Sequence, residues 1–297
     1  MAVGDALTAD YQLEFFGGND EIETVVIGNG ENGVEIVELD LWSGAAMRTS
    51  DINRPLDDGQ FAGEDFYSGR SINVAFEIWA NTEAEIYDRW FEMSRIWRLR
   101  RNPKTMAVRL PDWPSDLFVD VRPRRVSGLR VDEAMNVGYV ARGVVGFHSV
   151  DPRWYSTTLD STSVGVTTAS GGLTFNAAAP LVFGAVGDSG SFDCQNLGNY
   201  PTYPTFTITG PITNPSIENQ QRSKTLSFTG SLASGETLVI DTQARTVLLN
   251  GTASRYSWLD DPTKWFSLAA NTTSTLRFLG TTAGSPTLQT TWRSAWV

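Results

Sequence analysis

The sequence predicts a mainly β protein with two domains and one α-helix. The chain has 297 residues, a length at which a single hydrophobic core usually divides into two. Short segments rich in β-branched and aromatic residues recur between Gly, Asn and Asp turns, which is the pattern of strands. The charge also divides the chain, because residues 1–155 carry 26 acidic and 16 basic side chains, whereas residues 156–297 carry 8 and 7. We therefore expect an N-terminal domain over 1–155 and a C-terminal domain over 156–297.

Strands are expected through most of the first half. Four segments combine β-branched and aromatic residues and end at turn residues. They are YQLEFF (11–16), ETVVIG (23–28), VEIVELDLW (34–42) and SINVAFEIWA (71–80). The glycines of GNGENG (28–33) have the spacing of a dinucleotide-binding loop, but such a loop must open a helix, and here a strand pattern follows. We interpret this loop as a hairpin turn.

One helix is expected over residues 83–98. Thr82 can cap it, since Glu85 stands three residues later in a capping box. Apolar residues at three- and four-residue spacing predict one buried stripe. They are Ile86, Trp90, Met93 and Trp97. The basic residues that follow suit the negative end of the helix dipole, although they could also contact DNA or an acidic subunit. They are Arg98, Arg100, Arg101 and Lys104.

The composition changes at residues 151–172, where charged residues give way to Ser, Thr and Gly. This change is typical of an extended connection between domains, and we place the boundary near Tyr155. Beyond it, short strands at regular spacing predict an all-β sandwich. Its clearest unit is the hairpin over 235–251, in which Leu238 and Ile240 alternate with polar neighbours before the chain returns.

Composition argues against several classes of protein. A formal net charge of −11 opposes a nucleic-acid binder that neutralises phosphates, because that mode needs a basic face. The chain has a single cysteine, Cys194, and therefore no internal disulfide, which fits a protein made in a reducing cytoplasm. The Cys194 side chain is expected to be buried. Asp5 and Asp10 interrupt the N-terminal stretch where a signal peptide needs apolar residues. Neither secretion nor membrane insertion is predicted.

No catalytic, cofactor-binding or metal site is predicted, and the chain is not expected to be an enzyme. His148 is the only histidine, lies in an alternating strand pattern and is expected to be structural. Glycoside hydrolysis needs only two carboxylates, and adjacent acids occur in a polar loop. They are Asp57 with Asp58 and Glu64 with Asp65. Among 34 acidic residues such neighbours are expected by chance, and they lack the spaced ligands of a calcium loop.

Four passages, in order along the chain, carry a resemblance to a known family. They are FHSVDPRWYS (147–156), NLGNYPTYPTFTITGPITNPSIEN (196–219), GETLVID…RTVLLNG (235–251) and WFSLAANTTSTLRF (265–278). The first resembles a junction motif, the second a series of Asn-x-Gly, Tyr-Pro, Gly and Asn-Pro, and the last two a hairpin and the strand that closes a sandwich. In this order they resemble the distal tail proteins of long-tailed, non-contractile phages, the siphovirus minor tail proteins of the tail tip.

The resemblance implies both a fold and a role. The N-terminal domain would be a β-sandwich or split barrel forming a ring, typically hexameric, that continues the tail tube, with a galectin-like β-sandwich outside it. The ring would be a virion hub at the tail tip, synthesised in the host cytoplasm. Its partners would be further copies of itself, the tail tube protein and the tail-associated lysin or tail fibres. The acidic first half is compatible with a lumen that repels the DNA passing through it.

A carbohydrate-binding β-sandwich for attachment to the host surface is the alternative, because sandwich folds and exposed aromatic residues suit glycan recognition. Five aromatic residues lie near the end of the chain. They would serve either as an exposed platform for a glycan or as anchors in the core and between subunits. They are Trp258, Trp265, Phe266, Trp292 and Trp296. An exposed aromatic platform would favour the alternative, and buried side chains would favour the anchors.

Overall fold

The computed structural model describes most of the chain. The described residues are 2–16, 24–30, 33–41, 43, 45–95, 97–98, 102–127, 130–134 (backbone alone), 138–166, 190–282 and 284–297. The expectations for Trp42, for Arg100 and Arg101, and for residues 167–172 of the interdomain connection lie outside them. The chain divides into two compact units, Met1–Thr158 with Trp296–Val297, and Leu159–Ala295. This division falls shortly after Tyr155, and the last two residues belong to the first unit. Within the described residues the predicted mainly β class with one α-helix is confirmed.

The first unit consists of strands and the helix α1 (Glu83–Ser94). Its strands are β1 (Leu13–Phe16), β2 (Val25–Ile27), β3 (Val34–Asp40), β4 (Met47–Arg48), β5 (Ile52–Asn53), β6 (Gln60–Phe61), β7 (Phe66–Tyr67), β8 (Arg70–Ala80), β9 (Lys104–Val108), β10 (Leu117–Val126), β11 (Arg130–Ala134), β12 (Gly138–Ser149) and β13 (Trp154–Ser156). The main path of hydrogen-bonded strands runs β2-β1-β9-β10-β12-β8-β3.

Strand β10 joins the two halves of this path, of which one contains β2, β1 and β9 and the other contains β12, β8 and β3. Its residues Leu117 to Val121 pair with β9, and the pairing with β12 begins at Arg122. The register shifts between Pro123 and Arg125, and such a bulge bends a strand and lets it pass from one sheet to another. The two halves share one core, in which the rings of Phe15 on β1 and Phe147 on β12 lie 5.3 Å apart between centroids.

Helix α1 begins where the capping box predicts. The Thr82 hydroxyl accepts a hydrogen bond from the Glu85 N–H at 3.3 Å, and the Glu85 carboxylate accepts one from the Asn81 N–H at 3.0 Å. The helix ends at Ser94, before the predicted end at Arg98. The Ser94 hydroxyl donates to the Phe91 carbonyl at 2.7 Å, a local bond that competes with continued helix. Trp97 nevertheless reaches the core, since its ring stacks on that of Phe76 at 5.6 Å.

The glycine-rich loop after β2 leads into a strand. Gly28, Gly30 and Gly33 all have φ between +66° and +99°, the left-handed region that glycine tolerates best. The Gly28 N–H donates to the Val34 carbonyl at 3.2 Å, which brings the chain back at the start of β3. The helix that a dinucleotide-binding loop requires does not follow.

The second unit is a β-sandwich. Its strands are β14 (Asp160–Gly165), β15 (Ser191–Asn196), β16 (Thr205–Thr209), β17 (Ile212–Asn219), β18 (Lys224–Ser227), β19 (Ser231–Leu232), β20 (Thr237–Asp241), β21 (Thr246–Leu249), β22 (Ala253–Ser254), β23 (Thr272–Thr281) and β24 (Thr287–Trp292), with a 3-10 turn at Tyr256–Trp258. The final strand of the chain, β25 (Ala295–Trp296), pairs instead with β13. One sheet has the order β14-β24-β16-β20-β21-β22, and the other β15-β23-β17-β18, with β19 beside β17.

The predicted hairpin over 235–251 is confirmed as β20 and β21. Leu238 pairs with Leu249 and Ile240 with Val247, so the alternate residues of both strands share one face. The Asp241 carboxylate accepts hydrogen bonds from the Gln243 and Ala244 N–H groups of the turn, at 2.8 and 2.9 Å. Leu238 and Ile240 are fully buried, which shows that the predicted apolar face is the core face.

The buried Glu14 carboxyl should make the stability of the fold depend on pH. The Glu14 side chain is fully buried, one carboxylate oxygen accepts from the Ala6 N–H at 3.4 Å, and desolvation raises its pKa. A carboxyl whose pKa is higher in the folded state stabilises the fold below its unfolded pKa, and this stability is lost as the pH rises through the folded pKa. We expect Glu14→Gln to resist urea better than wild type at pH 7.5 and to lose this advantage near pH 4.

Urea unfolding followed by tryptophan fluorescence at both pH values measures the effect. Glu38→Gln, on an exposed position of β3, is the matched control and should follow the wild-type pH dependence. A Glu14→Gln variant that is less stable than wild type at pH 7.5 would contradict the assignment.

Candidate interaction surfaces

An exposed arm extends from the first unit over residues 46–68. It consists of two nested two-stranded ribbons, β4 with β7 and β5 with β6. Its large apolar side chains are mostly in solvent. They are Met47 (72% exposed), Ile52 (69%), Leu56 (99%), Phe61 (57%), Phe66 (47%) and Tyr67 (43%). So many exposed large apolar side chains on one short segment are typical of a site of association.

Local contacts hold the arm in shape. The Arg54 N–H donates to the Gly59 carbonyl at 3.1 Å and closes the tip, where Gly59 has φ +94°. The guanidinium groups of Arg48 and Arg54 lie over the rings of Phe66 and Phe61, at 5.5 and 5.2 Å from the ring centroids. These contacts cover one side of each ring and leave the aliphatic residues uncovered.

The exposed face of α1 carries two further aromatic residues. Tyr87 and Phe91 are 41% and 65% exposed and stand four residues apart, so they lie one above the other on the helix surface. The Tyr87 hydroxyl donates to Glu83 at 3.0 Å. The opposite face of the helix buries Ile86 and Met93, as the predicted stripe requires.

A small basic cleft lies where the chain returns from α1 to the sheet. Its volume is about 90 Å³, and its lining residues are Arg98, Asn102, Lys104, Val121, Arg122, Pro123 and Arg124. Lys104 is 8% exposed and its ammonium donates to the Arg95 carbonyl at 3.5 Å. Arg98 and Lys104 belong to the basic cluster predicted from the sequence, whereas Arg122 and Arg124 were not predicted. Strand β10 brings them beside that cluster because Val121 pairs with Lys104.

Four of the five singled-out aromatics are core residues. Trp265 (7% exposed), Phe266 (3%) and Trp292 (7%) belong to the core of the second unit, and Trp296 (6%) belongs to that of the first. Trp258 is partly exposed, with the Arg255 guanidinium 5.5 Å from its ring centroid. The structure therefore does not bring these five residues together into a flat exposed platform.

A second cleft lies at the edge of the sandwich in the second unit. It encloses about 450 Å³ and is lined by Asp160, Ser161, Asp193, Gln195, Leu197, Thr273 and Trp292. The Trp292 indole N–H donates to the Gln195 backbone carbonyl at 2.7 Å, which fixes the ring at the wall of the cleft. Burial raises the pKa of the Asp160 carboxyl, while the positive charge of Arg293 opposes that rise.

The residues considered for catalysis are dispersed. His148 lies in β12, opposite Ser71 on β8 and Arg122 on β10. Asp57 and Asp58 stand at the tip of the arm, where the Asp58 N–H donates to the Asp57 carboxylate at 2.9 Å. Among the described residues, no group of three or more His, Cys, Asp or Glu side chains could hold a metal ion.

No described helix has the length and apolar character needed to cross a membrane.

Comparisons with known proteins agree with the sequence resemblance. Residues 197–296 match the family model SPP1_Dit, the siphovirus-type tail component, C-terminal domain. The crystal structure of the SPP1 Dit (gp 19.1) protein, described as a paradigm of the hub adsorption apparatus in phages that infect Gram-positive hosts, superposes with a TM-score of 0.65 at 13% identity, covering 97% of this chain and 100% of that one. A chain of the phage P2 baseplate in its activated conformation with Ca has a TM-score of 0.49 at 11% identity, covering 97% and 98%. No curated protein sequence matches.

The described residues form a mainly β protein of two units with an exposed apolar arm and two clefts. The family match concerns the second unit, and the shared fold concerns nearly the whole chain. Residues 197–296 match the model of the siphovirus-type tail component C-terminal domain, and the predicted resemblance to phage distal tail proteins is confirmed.

The burial of Cys194 determines the reactivity of its thiol. Cys194 lies in the core of the second unit, and burial raises the pKa of its thiol to about 12. Because the thiolate is the reactive form, the native thiol should not react with Ellman's reagent at pH 8 and should react fully in guanidinium chloride. Rapid reaction of the native protein would contradict this burial.

Proposed function

We propose that the chain is a structural hub of the phage tail tip that assembles into a closed ring of six copies through its first unit. The exposed arm is the observation that carries the proposal. Six large apolar side chains stand in solvent on a segment of 23 residues (46–68) that has only two-stranded ribbons of its own. Such ribbons have no core, so their apolar surface is covered only in contact with another molecule.

The arm favours a ring over a symmetric dimer. Fully burying one large apolar side chain stabilises an association by about 1.5–3 kcal/mol, so a few arm residues suffice for a specific contact. An arm that binds a different surface of the next copy makes a head-to-tail contact, and such contacts close into rings when the rotation permits. The aromatic face of α1 and the basic cleft are candidate surfaces of this kind, both distinct from the arm.

The family match supports the rest of the proposal. A hub of this kind joins the tail tube protein to the tail-associated lysin or tail fibres, and resides in the virion at the tail tip after synthesis in the host cytoplasm. Its role is structural and not enzymatic, with no cofactor. Specific nucleic-acid binding is not part of that role, although DNA passes through the lumen of the ring.

The arm can be tested directly. We expect Ile52→Thr with Leu56→Gln to raise the concentration needed for assembly by at least about tenfold, which corresponds to 1.4 kcal/mol. Wild type should form an assembly of about six subunits. Sedimentation velocity over a range of concentrations measures the size of the assembly and the concentration at which it forms.

The matched control is Val150→Thr with Leu159→Gln, two residues that are 75% and 54% exposed outside the arm. It should assemble as wild type does. Equal assembly of the arm variant and the control would exclude the arm as the contact.

Carbohydrate binding is a second candidate function, and the cleft at the sandwich edge favours it. Its volume of about 450 Å³ falls within the usual range of ligand sites, and it combines the Trp292 ring with amide, hydroxyl and carboxylate groups. Two carboxylates, Asp160 and Asp193, disfavour anionic sugars and suit the hydroxyls of neutral ones.

A glycan array tests this candidate. Wild type should retain neutral glycans, and Gln195→Ala should weaken the signal by about tenfold, since a lost hydrogen bond costs on the order of 1 kcal/mol or more. Gln243→Ala, on the exposed turn after β20, is the control. Absence of binding to any glycan would remove this candidate and leave the hub proposal intact.

A further inference from the structure

We infer that the basic cleft binds the acidic tip of the arm of a neighbouring copy. The inference rests on the proposed self-assembly and adds to it a specific pair of surfaces. The cleft is the one lined by Arg98, Lys104, Arg122 and Arg124. The arm tip is residues 54–59, which include Asp57 and Asp58.

The cleft has the size and chemistry of an oxyanion site. Its volume of about 90 Å³ corresponds to about three water molecules at liquid density, enough for one carboxylate group and its hydration. Among the described residues, four cationic side chains and the Asn102 amide line it, together with Val121 and Pro123, and no carboxylate does. Guanidinium groups bind carboxylates through paired N–H donors, which favours this ligand over an uncharged one.

The charge of the cleft contrasts with the rest of the protein. The chain has a net charge of −11, yet these four cations converge on one small surface. A carboxylate close to these positive charges is attracted by them, so the cleft favours an anionic ligand. The low exposure of Lys104, 8%, places one of these charges where solvent screens it less.

The arm supplies the complementary charge. Residues 46–68 contain Arg48 and Arg54 against Asp51, Asp57, Asp58, Glu64 and Asp65. The Asp57 side chain is 77% exposed and lies 3.8 Å from Arg54, a distance at which an exposed pair contributes little and can be exchanged for a better partner. Beside it, Leu56 is 99% exposed. The tip thus presents carboxylates together with an apolar side chain.

The contact is intermolecular because the cleft of the same copy contains no arm residue. One copy therefore carries both a donor tip and an acceptor cleft on different parts of its first unit. Donor and acceptor surfaces that differ give a head-to-tail contact, which propagates from copy to copy until the ring closes. A charge pair of this kind also fixes the register of the less specific apolar contacts of the arm.

Charge reversal tests the pairing. The cleft variant is Arg98→Glu with Arg124→Glu, and the tip variant is Asp57→Arg with Asp58→Arg; all four residues are exposed, so the fold should persist. Each variant alone should raise the concentration for assembly by about a hundredfold, and the two together in one chain should restore it to within about tenfold of wild type. Arg125→Glu, exposed and outside the cleft, is the control. Sedimentation velocity gives the assembly state, and thermal melting confirms folding.

The outcomes separate this inference from the proposed function. Wild type that stays monomeric at every concentration would overturn both. Wild type that assembles, with cleft variants that assemble equally well, would overturn the pairing and leave the ring proposal standing. Failure of the combined variant to recover would also overturn it. Binding of a 20-base-pair DNA duplex that the cleft variant loses, with assembly unchanged, would assign the cleft to phosphate instead.

Discussion

The bend in strand β10 is the constraint on which the first unit depends. The strand pairs with β9 up to Val121 and with β12 from Arg122, and its register shift lies between Pro123 and Arg125. Because a bulge bends a strand and increases its twist, one strand can contribute to both halves of the strand path. Phe15 and Phe147 then meet in a common core. Arg122 and Arg124 follow Val121 on this strand, so the pairing of Val121 with Lys104 places them in the basic cleft.

Assembly of an acidic protein requires local attraction that exceeds long-range repulsion. Copies of a chain with net charge −11 repel one another, although physiological salt screens this repulsion beyond about 8 Å. Apolar contact by the arm acts at short range and is insensitive to that charge. A carboxylate in the basic cleft reverses the sign of the interaction where the surfaces meet. The two contacts differ in salt dependence. Added salt should weaken the contact of the carboxylate with the basic cleft, and it should also reduce the long-range repulsion between copies.

Local sequence patterns predicted the elements whose determinants are local. The cap of α1 depends on Thr82 and Glu85 alone, and the β20–β21 hairpin on its alternating residues and turn, so both could be predicted without tertiary information. The end of α1 was predicted too late, because Trp97 satisfies the helical stripe yet packs on Phe76 after the helix has ended.

Features set by distant pairing escaped prediction. Arg122 joins the basic cleft through the pairing of β10 with β9, which no local pattern encodes. The arm was interpreted as a polar loop because its strands have only two residues each and its apolar residues follow no period. Trp296 was grouped with the aromatics of the second unit, whereas the chain returns it to the first core. For Arg122 and Trp296, the residues that determine their position are remote in sequence.

Single-particle electron microscopy of the purified full chain tests the central claim most directly, because it shows whether assembly closes. The account predicts one class of ring with six-fold symmetry, in which the first unit forms the ring and each arm lies on the next copy. Open filaments of variable length, or rings joined solely through the second unit, would contradict it.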